Sequence, residues 1–277
     1  MTKELCIVHA NCQGEPLVER LLTSPEFAAR FECELHTNYT RQPVPVERLD
    51  RCALFLHQHL GPEWGDLASA SLLQRLPQAA ASLCVPNMFF KGYWPTWSGR
   101  KGFDFRCEHL DECIAMGLPP EETVLFFLHS DPGERYDLLD LVSRTLAQER
   151  EREARTPVKY LDLIIDNYRD TRLFNTVNHP GRMLMDHAAR GVLAQLGLAG
   201  PDADALARLN APFADFEQPV NPRVARFFGW DFARADTEYR IYGRRMTFAR
   251  YAVNYVMAAR TGVSDFIGFL QGDSVAL

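Results

Sequence analysis

A chain of 277 residues, 47% hydrophobic and 24% charged, can bury a large core and has the make-up of an ordinary globular protein. Its net charge of −6, from 30 basic and 36 acidic side chains, argues against a nucleic-acid binder, which needs clustered Lys and Arg to neutralise phosphates. There is no run of about 18 apolar residues to span a membrane and no signal-peptide pattern at the start, so the chain reads as cytoplasmic.

The first third alternates short apolar runs with helical patterns, the mark of βαβ units and a mainly parallel sheet. Strands are expected at 5–9, 31–37, 53–57 and 82–85. Helices are expected at 15–22, where Pro16 is tolerated in the first turn, and at 69–76. Residues 87–106 break the pattern. Asn87 to Trp97 holds five aromatics with Gly and Pro and no period, which suits either a packed surface loop or the wall of a pocket.

From about Leu118 the pattern turns helical. Tyr136–Glu153 carries a spaced apolar set, and its charged end, Gln148-Glu149-Arg150-Glu151-Arg152-Glu153, reads as a solvated helix end. A helix from Pro157 to Tyr168, an extended piece over 172–176 and a helix over 181–196 follow. Residues 197–222 read as a linker-like loop, and helices near 223–228 and 247–259 finish the chain. The expected fold is therefore α/β. An open, mainly parallel sheet with flanking helices occupies residues 1–117. A mostly helical part, 118–277, packs on it as one compact unit.

Seven irregularly spaced cysteines without a signal peptide do not make a disulfide framework. Cys107, His109 and Cys113 match no usual zinc spacing, so no metal is expected. The sharpest motif is His9-Ala10-Asn11-Cys12-Gln13-Gly14, between a strand and a helix. In open α/β sheets, ligands bind at the carboxyl ends of strands. The N-terminus of the helix that follows favours a thiolate, an oxyanion or a phosphate. The alternative is that Cys12 is a buried small hydrophobe. A nucleophilic thiol needs a base, and His179, held between Asn178 and Pro180, is the best placed of eight histidines.

Asn11-Cys12-Gln13, then Gln58, then Pro86-Asn87 with Phe90-Lys91-Gly92-Tyr93-Trp94-Pro95, then Arg172-Leu173-Phe174 and Asn178-His179-Pro180 form an ordered set. Over roughly residues 4–200 this set resembles the WcbI-type family of bacterial capsular polysaccharide-biosynthesis proteins. More faintly, the turn resembles that of SGNH esterases, with Cys12 in the place of the serine. The family pattern has Gly where this chain has Ala10.

The resemblance implies a coenzyme A-binding acyltransferase that O-acetylates a sugar, with acetyl-CoA as co-substrate and a glycan or sugar nucleotide as acceptor. Cys12 is then the nucleophile and His179 the base, with Asn11, Gln13 and Gln58 as amide donors to an oxyanion. Gly14, Asn87, Lys91, Tyr93, Trp94 and Arg182 are candidates for holding the coenzyme, with Arg100 and the Arg244-Arg245 pair as further cations. A hydrolase using the same residues, and a glycan-assembly protein without turnover, remain as other readings.

Overall fold

A computed structural model describes residues 2–272, which divide by contact into two units. Unit one comprises residues up to 89, 147–166 and 178–212, and unit two comprises 90–146, 167–177 and 213 onward.

Unit one is built on four parallel strands, β1 (Glu4–Ala10), β2 (Phe31–Thr37), β3 (Cys52–His57) and β4 (Ala81–Cys84), in the order β2-β1-β3-β4. The expected strands are present, within one residue at most ends. β1 is central, and Cys6 to Ala10 are buried on both faces, as a covered parallel strand requires. Helix α1 (Gly14–Leu21) follows β1 directly and packs on a helix later in the chain, introduced below as α3.

Gly14 is needed for space. A Cβ there would stand 2.6 Å from Leu35 Cδ1 and 3.0 Å from Ala10 Cβ. The missing side chain lets the helix start close to the sheet and leaves room for the methyl of Ala10, where the family pattern has Gly.

Helix α2 (Leu138–Glu153) departs from expectation in its charged end. Leu138, Val142, Thr145 and Glu149 fall three and four residues apart, so all four lie on one buried face. Glu149 is 0% exposed, and only its neighbours in the charged run are solvated. The helix expected from Pro157 begins later, at Leu161, because the carboxylate of Glu153 accepts the N–H groups of Tyr160 and Leu161 at 2.5 and 2.6 Å and holds the preceding turn open.

Helix α3 (Arg182–Gln195) faces α1. The buried Arg20 Nε donates to Asp186 Oδ1 at 2.7 Å, and Arg20 Nη1 donates back to the Pro16 carbonyl at 3.0 Å. The stretch expected as a loop over 197–222 contains one short helix, Ala203–Arg208, capped by Asp202.

Unit two has an aromatic core that includes Phe103, Phe127, Phe216, Tyr239, Tyr251, Tyr255 and Phe266. An antiparallel hairpin, β5 (Glu238–Ile241) and β6 (Arg244–Thr247), which the reading of the sequence missed, leads into helix α4 (Phe248–Arg260). The hairpin turns through Tyr242 and Gly243, both at positive φ. That is the two-residue turn suited to the strand twist, here without the Asn-Gly pair that advertises it. Among the described residues, no helix is long and apolar enough to cross a membrane.

Candidate active site

The carboxyl ends of β1, β3 and β4 deliver three segments of unit one: the turn 11–13, the loop from Gln58, and residues 86–89. Asn11 makes the turn. Its Oδ1 accepts the Gln13 N–H at 2.9 Å, a local bond that asparagine forms readily, and its carbonyl accepts the Gly14 N–H at 2.9 Å. Gln58 Oε1 accepts the Asn11 N–H at 2.8 Å, which fixes the start of the turn to β3.

Gln13 and Gln58, both buried, form the centre of the network. Gln13 Nε2 donates to the carbonyls of Met88 at 2.7 Å and Asn178 at 3.0 Å, while its Oε1 accepts the Met88 N–H at 3.1 Å. Gln58 Nε2 donates to the Pro86 carbonyl at 3.1 Å and to Gln13 Oε1 at 3.4 Å. Both hydrogens of each amide are thus engaged by the protein. The expected role of Gln13 and Gln58 as oxyanion donors gives way to a scaffolding one. Asn11 differs: one Nδ2 hydrogen goes to Asn87 Oδ1 at 3.1 Å, and the other has no partner among the described residues.

Cys12 is partly exposed, and Asn178 Nδ2 lies 3.5 Å from its Sγ. The expected thiolate is not what this environment favours. Burial pushes the Cys12 thiol up to about 11, outweighing the opposite pull of its own and Gln13's backbone N–H groups. At neutral pH Cys12 is therefore a thiol. His179, next to Asn178, is pulled down to about 4 by burial, so its imidazole is neutral at neutral pH. Asn178 of the Asn-His-Pro motif, beside the ring expected to act, supplies the amide that reaches the sulfur.

The residues expected to hold a coenzyme are differently disposed. Asn87 belongs to the turn network through Asn11, and Gly14 serves helix packing. Arg182 donates to the Leu206 carbonyl at 3.0 Å and to that of Leu209, closing the end of the 203–208 helix.

Lys91, Tyr93 and Trp94 lie in unit two. The fully buried Tyr93 directs its hydroxyl at the Tyr168 and Thr171 carbonyls, 2.9 Å each, and Trp94 Nε1 donates to the Pro219 carbonyl at 3.0 Å. Both help wall an aromatic cavity of about 50 Å³ within that unit. Lys91 Nζ reaches the Trp97 carbonyl at 3.4 Å, and burial lowers its ammonium pKa below the ordinary lysine value.

Arg172 of the Arg-Leu-Phe motif donates to the carbonyls of Phe174, Asn175 and Gln218, so it too is structural within unit two. Arg100 pairs with Glu108, and Arg244 donates to the carbonyls of Leu270 and Gly272. Among the described residues no group of three or more His, Cys, Asp or Glu side chains is arranged to hold a metal.

No curated protein matches the chain. One solved structure is similar over 98% of this chain and 96% of its own, with a TM-score of 0.76 and 20% sequence identity, a likeness of fold. That protein is described as WcbI, a novel polysaccharide biosynthesis enzyme, in a native form without a disulfide bond between coenzyme A and one of its cysteines. The family model described as polysaccharide biosynthesis enzyme WcbI matches residues 5–201, which include the Cys12 turn, Gln58, Asn87, Asn178 and His179; the chain belongs to that family.

Proposed function

We propose that this protein is a coenzyme A-dependent acyltransferase that O-acetylates a sugar during polysaccharide assembly, with Cys12 as the reacting centre. The observation that carries the reading is the build of the turn. A partly exposed thiol is held by a buried amide network at the carboxyl edge of a parallel sheet, with the Asn178 amide on its sulfur. The solved relative's description speaks of coenzyme A and a cysteine. We take Cys12 as the counterpart of that cysteine.

The thiol end of the coenzyme suits this turn, where Asn11 and Asn178 offer amide hydrogens to a thioester oxygen. The turn itself carries no cation, so it recognises the thioester rather than the phosphates. In the transfer, Cys12 gives its proton to His179 as its sulfur bonds the acetyl carbon. The bond from that carbon to the coenzyme sulfur breaks, and the departing thiolate takes the proton. A sugar hydroxyl, deprotonated by His179, then attacks the acetyl carbon and the Cys12 sulfur leaves, recovering its proton. We assign the oxyanion of each step to the Asn11 and Asn178 amides. Direct attack by the sugar hydroxyl on the bound thioester uses the same base and the same donors.

The test is to incubate the protein with acetyl-CoA, with and without sugar and sugar-nucleotide acceptors, and to follow release of the coenzyme thiol. Acceptor-dependent release, lost in Cys12→Ala and His179→Ala, supports the transferase. Release that needs no acceptor marks a hydrolase. A protein whose melting temperature does not respond to millimolar coenzyme A has a different ligand.

A further inference from the structure

Residues 86–89, shortly after β4, are each gripped from a different side. The Pro86 carbonyl accepts from Gln58, Asn87 Oδ1 accepts from Asn11, and Met88 exchanges two hydrogen bonds with Gln13. The fourth grip comes from α2, where Glu149 Oε2 accepts the Phe89 N–H at 3.0 Å. The same oxygen accepts the Tyr160 hydroxyl at 3.2 Å, and Oε1 accepts from Arg152 Nη1 at 2.7 Å. The Arg152 guanidinium lies 4.7 Å over the Phe89 ring. The charged and titratable groups facing Glu149 are therefore Arg152 from α2 and the Tyr160 phenol from the segment before the next helix. Glu153 stands one turn on, and the 86–89 segment brings none.

A fully buried carboxylate with one half-exposed cation beside it is a costly way to hold one amide, since a neutral side chain would meet no such desolvation penalty. We propose that Glu149 is a positioning residue for the Cys12 site, one that keeps the 86–89 wall in register while ionised and loosens it when protonated. This deepens the assignment of the Cys12 turn as the reacting centre and rests on it.

Three donors converge on the two oxygens. A protonated oxygen is a weak acceptor and a new donor, so on protonation either the Oε2 pair or the Arg152 bond must weaken. Burial, offset in part by Arg152, the Phe89 N–H and Tyr160, raises the carboxyl to about 7, which sets the exchange in the neutral range. Met88 is bonded to Gln13 and adjoins Phe89, so a loosened Phe89 is felt at the residue next to Cys12.

The experiment measures iodoacetamide labelling of Cys12 by peptide mass spectrometry from pH 5.5 to 8.5, each rate divided by the thiolate fraction. It uses the full chain and Glu149→Gln, which keeps an acceptor but cannot ionise. In the wild type the normalised rate should rise about two- to tenfold as the pH falls through 7, the range one buried hydrogen bond commands. In Glu149→Gln it should be flat. A flat wild-type profile, or the same rise in Glu149→Gln, overturns the proposal.

Should Glu149→Gln not fold, Tyr160→Phe removes one donor to the carboxylate and should move the midpoint to higher pH; an unmoved midpoint is equally fatal. Coenzyme A binding measured on the same samples separates the two ideas. Loss of binding at every pH with the step intact sinks the functional reading alone. Binding without the step sinks the positioning role alone.

Discussion

The side-chain amide of Asn178 lies 3.5 Å from the sulfur of Cys12, which precedes it by 166 residues. The main-chain carbonyl of the same Asn178 accepts from Gln13 at 3.0 Å. One residue thus ties its own backbone to the turn and lays a donor on the reacting atom. Asn178→Ala deletes the donor and leaves the carbonyl. Acetyl transfer should fall about 10²-fold, as for loss of one oxyanion donor, while the melting temperature stays close to wild type. A variant that transfers normally removes Asn178 from the chemistry.

Burial raises the Cys12 thiol to about 11, so its labelling should climb with pH well past the range where an ordinary cysteine levels off. Between pH 8.5 and 10, above the range in which Glu149 titrates, the rate in the absence of ligand should rise about tenfold per unit, because each unit multiplies the thiolate by ten. A plateau below pH 8 would mean that the helix N-terminus outweighs burial.

Gln58→Ala leaves the Asn11 N–H and the Pro86 carbonyl without their partner inside the network. Stranding buried groups in this way should cost about 2–4 kcal/mol, read from the urea midpoint at constant slope. Asn87→Ala frees only one partly buried pair, so its cost should be near 1 kcal/mol, the worth of a single hydrogen bond. Equal costs would show that Gln58 does not organise the turn.

The register sets His36, His9 and His57 side by side across β2, β1 and β3. Burial first, then His36 and His57, lowers His9 from 6.5 to about 4, and burial lowers His57 as well. Between those two values the unfolded chain binds the proton that folded His9 refuses. Stability therefore falls as the pH drops from 6.5 to 4, by about 3 kcal/mol for His9 at about 1.4 kcal/mol per unit. His9→Gln should shrink the difference between urea midpoints at pH 7 and pH 4.5. An unchanged difference would place the acid sensitivity elsewhere, His109 and His179 also being held near 4.

Periodicity sufficed for the centre of the sheet because β1 and β3, buried on both faces, are apolar runs, while the partly exposed edge strands β2 and β4 show only as short runs between helical patterns. The turn was legible for the same reason: Asn-Cys-Gln after a strand has one place to go. The hairpin of β5 and β6 was not, because its Arg-rich strands, Glu238–Ile241 and Arg244–Thr247, lack both a long apolar run and an Asn-Gly turn. Glu149 sat in a charged run whose period, once aligned with Leu138, Val142 and Thr145, would have turned it inward. No local pattern distinguishes an Arg182 that reaches the Leu206 carbonyl from one that waits for a phosphate. That difference is made by residues 24 positions away.

In the proposed reaction coenzyme A meets this chain at Cys12, and protection of that thiol tests this most directly. All seven cysteines are labelled with iodoacetamide at pH 8.5 across a coenzyme A titration, and each is followed by its own peptide. Cys12 should slow about tenfold or more at saturation, with a midpoint equal to the Kd from the thermal shift, since a thiol covered by ligand reacts only in the free protein. Cys33 and Cys84, also partly exposed, should be unaffected. Coenzyme A that raises the melting temperature while Cys12 reacts at its unprotected rate would contradict the account, because the ligand would then bind away from the turn.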